Sequence, residues 1–291
     1  MRILHLTDCD LTPKPRTTGD PLRFAVLGHP IAHSLSPRLH ALFAAQCGIA
    51  LEYLAIDAPP ERFAEIARRF FDEGGRGANV TLPDKRLAFE LADSHTQAAQ
   101  RAGVANVLTR RTDGRIEAHN TDGAGLIRDL RERHRIDLQH RRVLLLGAGG
   151  AAQAVAWALL DAGVRELIVA NRTLGRASDL AGALARPQRV CISEWNKLGR
   201  CEACDLMFNA TSAGVLGTRM QLPDSLVSTH TVAYDLAYGE AARPFLEWAR
   251  SAGAARALDG SGMLVETAAD SFEHWHGVRP RTDEALRALK M

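Results

Sequence analysis

The sequence predicts an α/β fold in two domains, and three observations carry that expectation. At 291 residues the chain exceeds the roughly 100–200 residues of one ordinary domain. From Phe24 onward, short apolar runs alternate with longer amphipathic stretches, the pattern of strand–helix units around a mainly parallel sheet. The alternation restarts at Val143–Leu146, where a glycine turn opens a new helix.

Taken in order, Phe24–Leu27, Leu51–Ala55 and Ala78–Val80 are expected strands, and Pro37–Gln46, Pro60–Phe71 and Lys85–Leu91 expected helices. In the second series Val143–Leu146 predicts a strand, Ala151–Ala162 a helix and Leu167–Ala170 the next strand, together one βαβ unit. Leu206–Phe208 and Val232–Leu236 add strands, and Pro244–Ala252 adds a helix. Asp259–Gly262 then opens a long helical pattern through Trp275. The chain shows no internal repeat and no low-complexity tract.

Composition narrows the class of partner. Lys and Arg number 36 against 34 Asp and Glu, which leaves no basic stripe for nucleic acid and favours a small molecule. Cys9, Cys47, Cys191, Cys201 and Cys204 are an odd, scattered set, expected of a reducing, cytoplasmic compartment rather than a disulfide framework. No run approaches the roughly 18 apolar residues of a membrane helix. Residues 1–20, broken by Asp8, Asp10, Pro13 and Pro15, read as an N-terminal extension. No metal is expected: Cys201-Glu202-Ala203-Cys204 lacks a second ligand pair and reads as a chance surface pair, and Pro30 breaks any helical face joining His29 and His33. His274-Trp275-His276 reads as a helix end where cationic side chains suit the dipole, and the mixed run Arg131–Arg142 as a solvated surface between domains.

The run Gly147-Ala148-Gly149-Gly150-Ala151-Ala152 follows a strand and opens a helix, the setting of a dinucleotide fingerprint. Gly147 suits the tight turn, Gly149 the approach of a pyrophosphate, and Ala152 close helix packing, with the phosphates on the helix N-terminus. NAD binders carry an acid about 20 residues beyond the glycines, for the ribose 2′-hydroxyl. This chain has Asn171-Arg172-Thr173 there, with Arg176 one turn on. An acid repels a 2′-phosphate and guanidinium groups clasp it, so NADP is the expected cofactor.

Three earlier segments are more specific: Gly28-His29-Pro30-Ile31-Ala32-His33-Ser34-Leu35-Ser36-Pro37, Gly77-Ala78-Asn79-Val80-Thr81-Leu82-Pro83-Asp84-Lys85, and Ala102-Gly103-Val104-Ala105-Asn106 followed by His119-Asn120-Thr121-Asp122-Gly123. In order and spacing they resemble the signatures of the shikimate dehydrogenase family, G-N-P-x-x-H-S-x-S-P, N-V-T-x-P-x-K, A-V-N and N-T-D-G. The resemblance continues through the glycine run, Asn171-Arg172-Thr173, Asn209-Ala210-Thr211, Asp235 with Tyr238, and Gly260 to Trp275.

The resemblance implies an α/β substrate-binding domain over 1–121, a Rossmann-type NADP-binding domain over 122–259, and C-terminal helices over 260–291 returning to the first domain, with substrate in the cleft between domains. It implies Lys85 as general acid and base, with Asp122 orienting it. It implies Ser34, Ser36 and Tyr238 on the substrate carboxylate, and Asn79, Thr81 and Asn106 on the ring hydroxyls. From the residues alone, Ser34 and Ser36 ahead of Pro37 read as helix-capping residues. Gly147, Ala148, Gly149, Gly150, Ala151, Asn171, Arg172, Thr173, Arg176, Asn209, Ala210, Thr211, Gly260 and Met263 are the implied cofactor residues.

Departures from the pattern bear on substrate choice. Thr267 stands where the family has Gln, offering one hydroxyl in place of an amide. His29 replaces Asn, Val107 replaces Thr, and Asp84 puts a second carboxylate next to Lys85 in sequence. The expected reaction is reversible reduction of 3-dehydroshikimate to shikimate with NADPH, on the route to chorismate and the aromatic amino acids, by a monomer or homodimer. Alternatives are a paralogue acting on quinate or aminoshikimate, and a non-catalytic NADP-binding or metabolite-binding regulator. A tRNA-linked reductase sharing only the middle domain is disfavoured by the first-domain motifs.

Overall fold

The computed structural model describes residues 3–4 and 21–289, so Cys9 and most of the N-terminal extension lie outside the described residues. The chain forms two compact units. One comprises the described residues of Met1–Thr121 and Val265–Met291, the other Asp122–Leu264.

The first unit holds β1 (Ile3–Leu4), β2 (Leu22–Gly28), α1 (Ser36–Cys47), β3 (Leu51–Asp57), α2 (Phe63–Asp72), β4 (Gly75–Val80), α3 (Lys85–Leu91), β5 (Ser94–His95), α4 (Gln97–Ala102), β6 (Val107–Arg110) and β7 (Ile116–His119). Its sheet runs β1-β3-β2-β4-β6-β7-β5, and β6 alone is antiparallel to its neighbours. α2 shows why a helix forms and which face it buries. Phe63, Ile66, Ala67, Phe70 and Phe71 fall on one stripe, and all are buried against the sheet with Leu54, Ile56 and Leu108. Burying each such phenylalanine contributes about 1.5–3 kcal/mol. α2 begins three residues later than Pro60 because Pro59–Arg62 close a turn, with Arg62 N–H donating to the Pro59 carbonyl (2.9 Å).

The second unit holds α5 (Asp122–Arg128), β8 (Arg142–Leu146), α6 (Gly150–Asp161), β9 (Glu166–Asn171), α7 (Leu174–Leu184), β10 (Val190–Glu194), β11 (Leu206–Asn209), β12 (Val232–Asp235), α8 (Arg243–Ser251) and β13 (Arg256–Leu258). All six strands are parallel in the order β10-β9-β8-β11-β12-β13, the Rossmann order, which reverses direction between β8 and β11. Val143–Leu146 are completely buried because helices cover both faces of the sheet.

α9 (Ser261–His276) and α10 (Thr282–Leu289) close the chain. The passage from the second unit to the first falls inside α9, after Leu264. Within the first unit Trp275 packs against Phe24 in a tilted arrangement, ring centroids 4.7 Å apart, and its indole N–H donates to Thr109 Oγ1 (3.1 Å). The expectation of a cationic end to this helix is corrected, because burial pushes the His274 and His276 imidazoles below the ordinary value and favours their neutral form. The surface reading of Cys201 and Cys204 also fails. Cys204 is buried in the core facing α8, and burial pushes its thiol up to about 11.

Candidate active site

In the first unit the expected residues gather at the carboxyl ends of β2 and β4, which are neighbours in the sheet. Two backbone bonds join the loops that follow. His29 N–H donates to the Leu82 carbonyl (3.1 Å), and Thr81 N–H donates to the Leu27 carbonyl (2.9 Å). The loop bearing Ser34 and Ser36 is thereby tied to the loop bearing Thr81 and Lys85. Ser34, rather than Ser36, turns the chain into α1, its Oγ accepting from the Ser36 N–H (3.3 Å).

Lys85 opens α3 and is half-buried, and its carbonyl accepts from the Ala105 N–H (2.8 Å), which brings the Asn106 loop alongside. Asn106 and Thr121 exchange two bonds of 2.9 Å, and Thr121 Oγ1 donates to the Thr267 carbonyl (3.2 Å). Lys85, Asn106, Thr121 and Thr267 thus form one connected set. Asn79 is engaged differently. Its Oδ1 accepts from the Tyr53 hydroxyl (2.6 Å), and its amide donates to Ser271 Oγ (2.9 Å) and the Asn106 carbonyl (3.3 Å). Both amide protons are used inside the unit. Burial pushes the Tyr53 phenol well above its ordinary value, so it stays a donor. Tyr53, Thr121 and Ser271 were not among the expected site residues; a lone tyrosine in a strand and a serine in a helix give no sequence signal.

Asp84 stands just before α3. Its carboxyl is buried, and neither oxygen has a hydrogen-bond partner among the described residues. Burial pushes it up to about 6, opposed by His29 and reinforced by Glu61. His29 in turn lies 3.1 Å from both carboxylate oxygens of Asp57. A carboxyl raised from about 4 to about 6 holds its proton in the folded state when the unfolded chain has released it. Its contribution to stability is full below about pH 4 and is lost as pH rises through about 6. Asp84→Asn is therefore expected to gain stability over the wild type, by on the order of 1–3 kcal/mol, only above that range. Urea denaturation at pH 4 and pH 8 checks this, and an equal difference at both would refute the burial argument.

In the second unit Asp122 opens α5 and is buried. The expected cofactor residues lie at the carboxyl ends of β8, β9, β11 and β13. Gly147, at φ 106°, occupies the left-handed region, and a Cβ there would lie 2.8 Å from the Ala210 carbonyl oxygen, so only glycine fits this crossing. Backbone bonds continue the rim: Ala210 N–H to the Leu146 carbonyl (2.8 Å), Leu236 N–H to the Asn209 carbonyl (2.9 Å), and Gly260 N–H to the Ala237 carbonyl (2.8 Å). Asn209 Oδ1 accepts from the backbone and hydroxyl of Thr211 (3.1 and 2.8 Å) and its amide donates to Asp235 (2.8 Å), so these side chains shape the turn. Tyr238 follows β12, half-buried.

Two features fit an anionic dinucleotide. α6 begins at Gly149–Gly150 with no side-chain cap and no acid in its first turn, leaving its amide protons for phosphate. At the end of β9 the Asn171 amide donates to the Thr173 carbonyl (2.9 Å), shaping the turn from which Arg172 and Arg176 project. Both arginines are exposed, and neither is paired with a carboxylate among the described residues.

The family model for the shikimate dehydrogenase substrate binding domain matches residues 26–108, and that for shikimate / quinate 5-dehydrogenase matches residues 129–237. The chain belongs to the shikimate dehydrogenase family. Among relatives in that family, a shikimate dehydrogenase (NADP(+)) from Xanthomonas campestris pv. campestris (strain B100) is 54% identical over 270 residues, 92% of this chain and 95% of that protein. The solved structure of an Ael1 enzyme from Pseudomonas putida is similar at TM-score 0.83 and 44% identity, covering 92% of this chain and 98% of that one. A family member from Thermus thermophilus, a shikimate 5-dehydrogenase solved in complex with NADP(H) and shikimate, is similar at TM-score 0.79 and 34% identity over the same shares.

Proposed function

We propose that the chain catalyses the reversible NADP-dependent reduction of 3-dehydroshikimate to shikimate. The observation that carries this reading is the pairing, in one chain, of an α6 N-terminus without a side-chain cap and two guanidinium groups beyond β9, unpaired with carboxylates among the described residues, with the Lys85–Asn106–Thr121–Thr267 set of the first unit. The first unit is the substrate-binding domain and the second the NADP-binding domain. NADPH, when bound, supplies hydride to the ketone carbon.

The chain's own residues supply the rest. The Arg172 and Arg176 guanidinium groups hold the 2′-phosphate, and the α6 amides hold the pyrophosphate. Ser34, Ser36 and Tyr238 bind the ring carboxylate, and Thr81 and Asn106 bind ring hydroxyls. As negative charge develops on the C3 oxygen, the Lys85 ammonium gives it a proton, and Asp122 orients the ammonium and accepts from the adjacent hydroxyl. Asn79, with its amide protons committed to Ser271 and Asn106, holds that wall in shape. The route to chorismate and a cytoplasmic setting accord with this chemistry, and the four described cysteines are free thiols.

Thr267 favours a second reading, a ring acid with another hydroxyl pattern such as quinate. Following NADPH absorbance with shikimate, quinate and their oxidised partners separates the two. Shikimate is expected to give the highest kcat/KM; a preference for quinate selects the second reading, and NADP binding without turnover of any of them defeats both.

A further inference from the structure

The second unit contains a buried polar pair that the sequence did not single out. Asp129, at the start of the widened helical turn Asp129–Arg133, and Tyr234 on β12 are both completely buried. The Tyr234 hydroxyl donates to Asp129 Oδ2 (2.7 Å), Arg133 Nε lies 3.0 Å from Oδ1, and His134 Nε2 lies 3.5 Å from Oδ2. The Tyr234 oxygen also meets the backbone N–H of Met263. A Cβ at Gly262 would stand 1.9 Å from Asp129 Oδ1 and 2.4 Å from its Cγ, so the carboxylate lies flush against the first turn of α9. That turn has no acid of its own, and a negative charge at a helix N-terminus is favourable.

The turn so held carries Met263. Its side chain joins the apolar cluster containing Ala148 of the glycine turn, with Ala210 and Leu236 packed against it. In the sheet order, Arg172 follows β9 on one side of the reversal, whereas Tyr234 lies on β12 and the turn before α9 follows β13 on the other. A dinucleotide whose 2′-phosphate is held beyond β9 extends across the reversal toward this second side.

We propose that Asp129 and Tyr234 are positioning residues for the nicotinamide half of the cofactor: the carboxylate–phenol pair fixes the first turn of α9 and so fixes Met263 in the apolar cluster that also holds Ala148. This rests on the reading of the second unit as an NADP-binding domain. Gly262 is required for the same reason, since any side chain there displaces the carboxylate or the turn.

The test compares two ligands on the full chain. NADP spans both sides of the reversal, whereas adenosine 2′,5′-bisphosphate carries only the half that meets Arg172 and Arg176. In Tyr234→Phe, which deletes one oxygen and keeps the ring, calorimetric titration is expected to show NADP binding about five- to twentyfold more weakly. Adenosine 2′,5′-bisphosphate should bind within about twofold of the wild type, because a local shift of α9 does not reach its half. Asp129→Asn, which keeps the volume and loses the charge, should show the same split and serves if Tyr234→Phe does not fold. Unchanged NADP affinity overturns the proposal, as does an equal loss for both ligands, the mark of a purely structural pair. Failure of the wild-type chain to bind either ligand overturns the cofactor reading and the proposal with it.

Discussion

Lys85→Ala is expected to lower kcat by about 10²- to 10⁴-fold, the range of a lost general acid or base, while KM for substrate changes only a few-fold. The side chain is half-buried at the first position of α3, so its removal leaves no large cavity. The interaction that places the Asn106 loop runs through the Lys85 backbone carbonyl, which the substitution keeps. The loss should therefore fall on the chemical step, not on the fold or on binding. Steady-state kinetics in both directions, with thermal unfolding as a control, check this. A variant within tenfold of wild-type kcat would remove Lys85 from the proton-transfer role.

The second large effect concerns the cofactor. Replacing Arg172 and Arg176 together with alanine is expected to weaken NADP binding by about 100-fold, roughly tenfold for each guanidinium, and to leave NAD binding within about threefold. Both side chains are exposed and unpaired with carboxylates among the described residues, so no buried charge is orphaned by their removal. Because the contacts are exposed and ionic, the NADP preference of the wild type should also shrink as salt rises. Titrating wild type and variant with both cofactors at low and high ionic strength checks the pattern. Parallel losses for NAD and NADP would place the arginines outside the 2′-phosphate site.

Much of this was legible in the residues because periodicity and glycine placement are local properties. Val143–Leu146, buried on both faces, reads as a continuous apolar run, and α6 after its glycine turn reads as a helix. Besides β1, β5, β6 and β7 of the first unit, β10 and β13 of the second lie outside the expected strands. β10, at the sheet edge, buries only Val190, and β13 has three residues. The expected site residues rest on motifs, but what each side chain does depends on partners far along the chain. Asn79 meets Ser271 across 192 residues, and Tyr234 meets Asp129 across 105. Neither pairing leaves a trace in local sequence. Burial is equally nonlocal, which is why His274 and His276 read as cations and Cys204 as a surface thiol.

The rim of the second unit is tied by main-chain groups, Ala210 to Leu146, Leu236 to Asn209 and Gly260 to Ala237, while Arg172 and Arg176 project from a separate turn beyond β9. Main-chain ties survive most changes of side chain. Mutation can therefore rewrite the Asn171–Arg176 segment without disturbing the frame. On the proposed reading of Arg172 and Arg176, a few substitutions in that segment would change the nucleotide used and leave the ring chemistry intact.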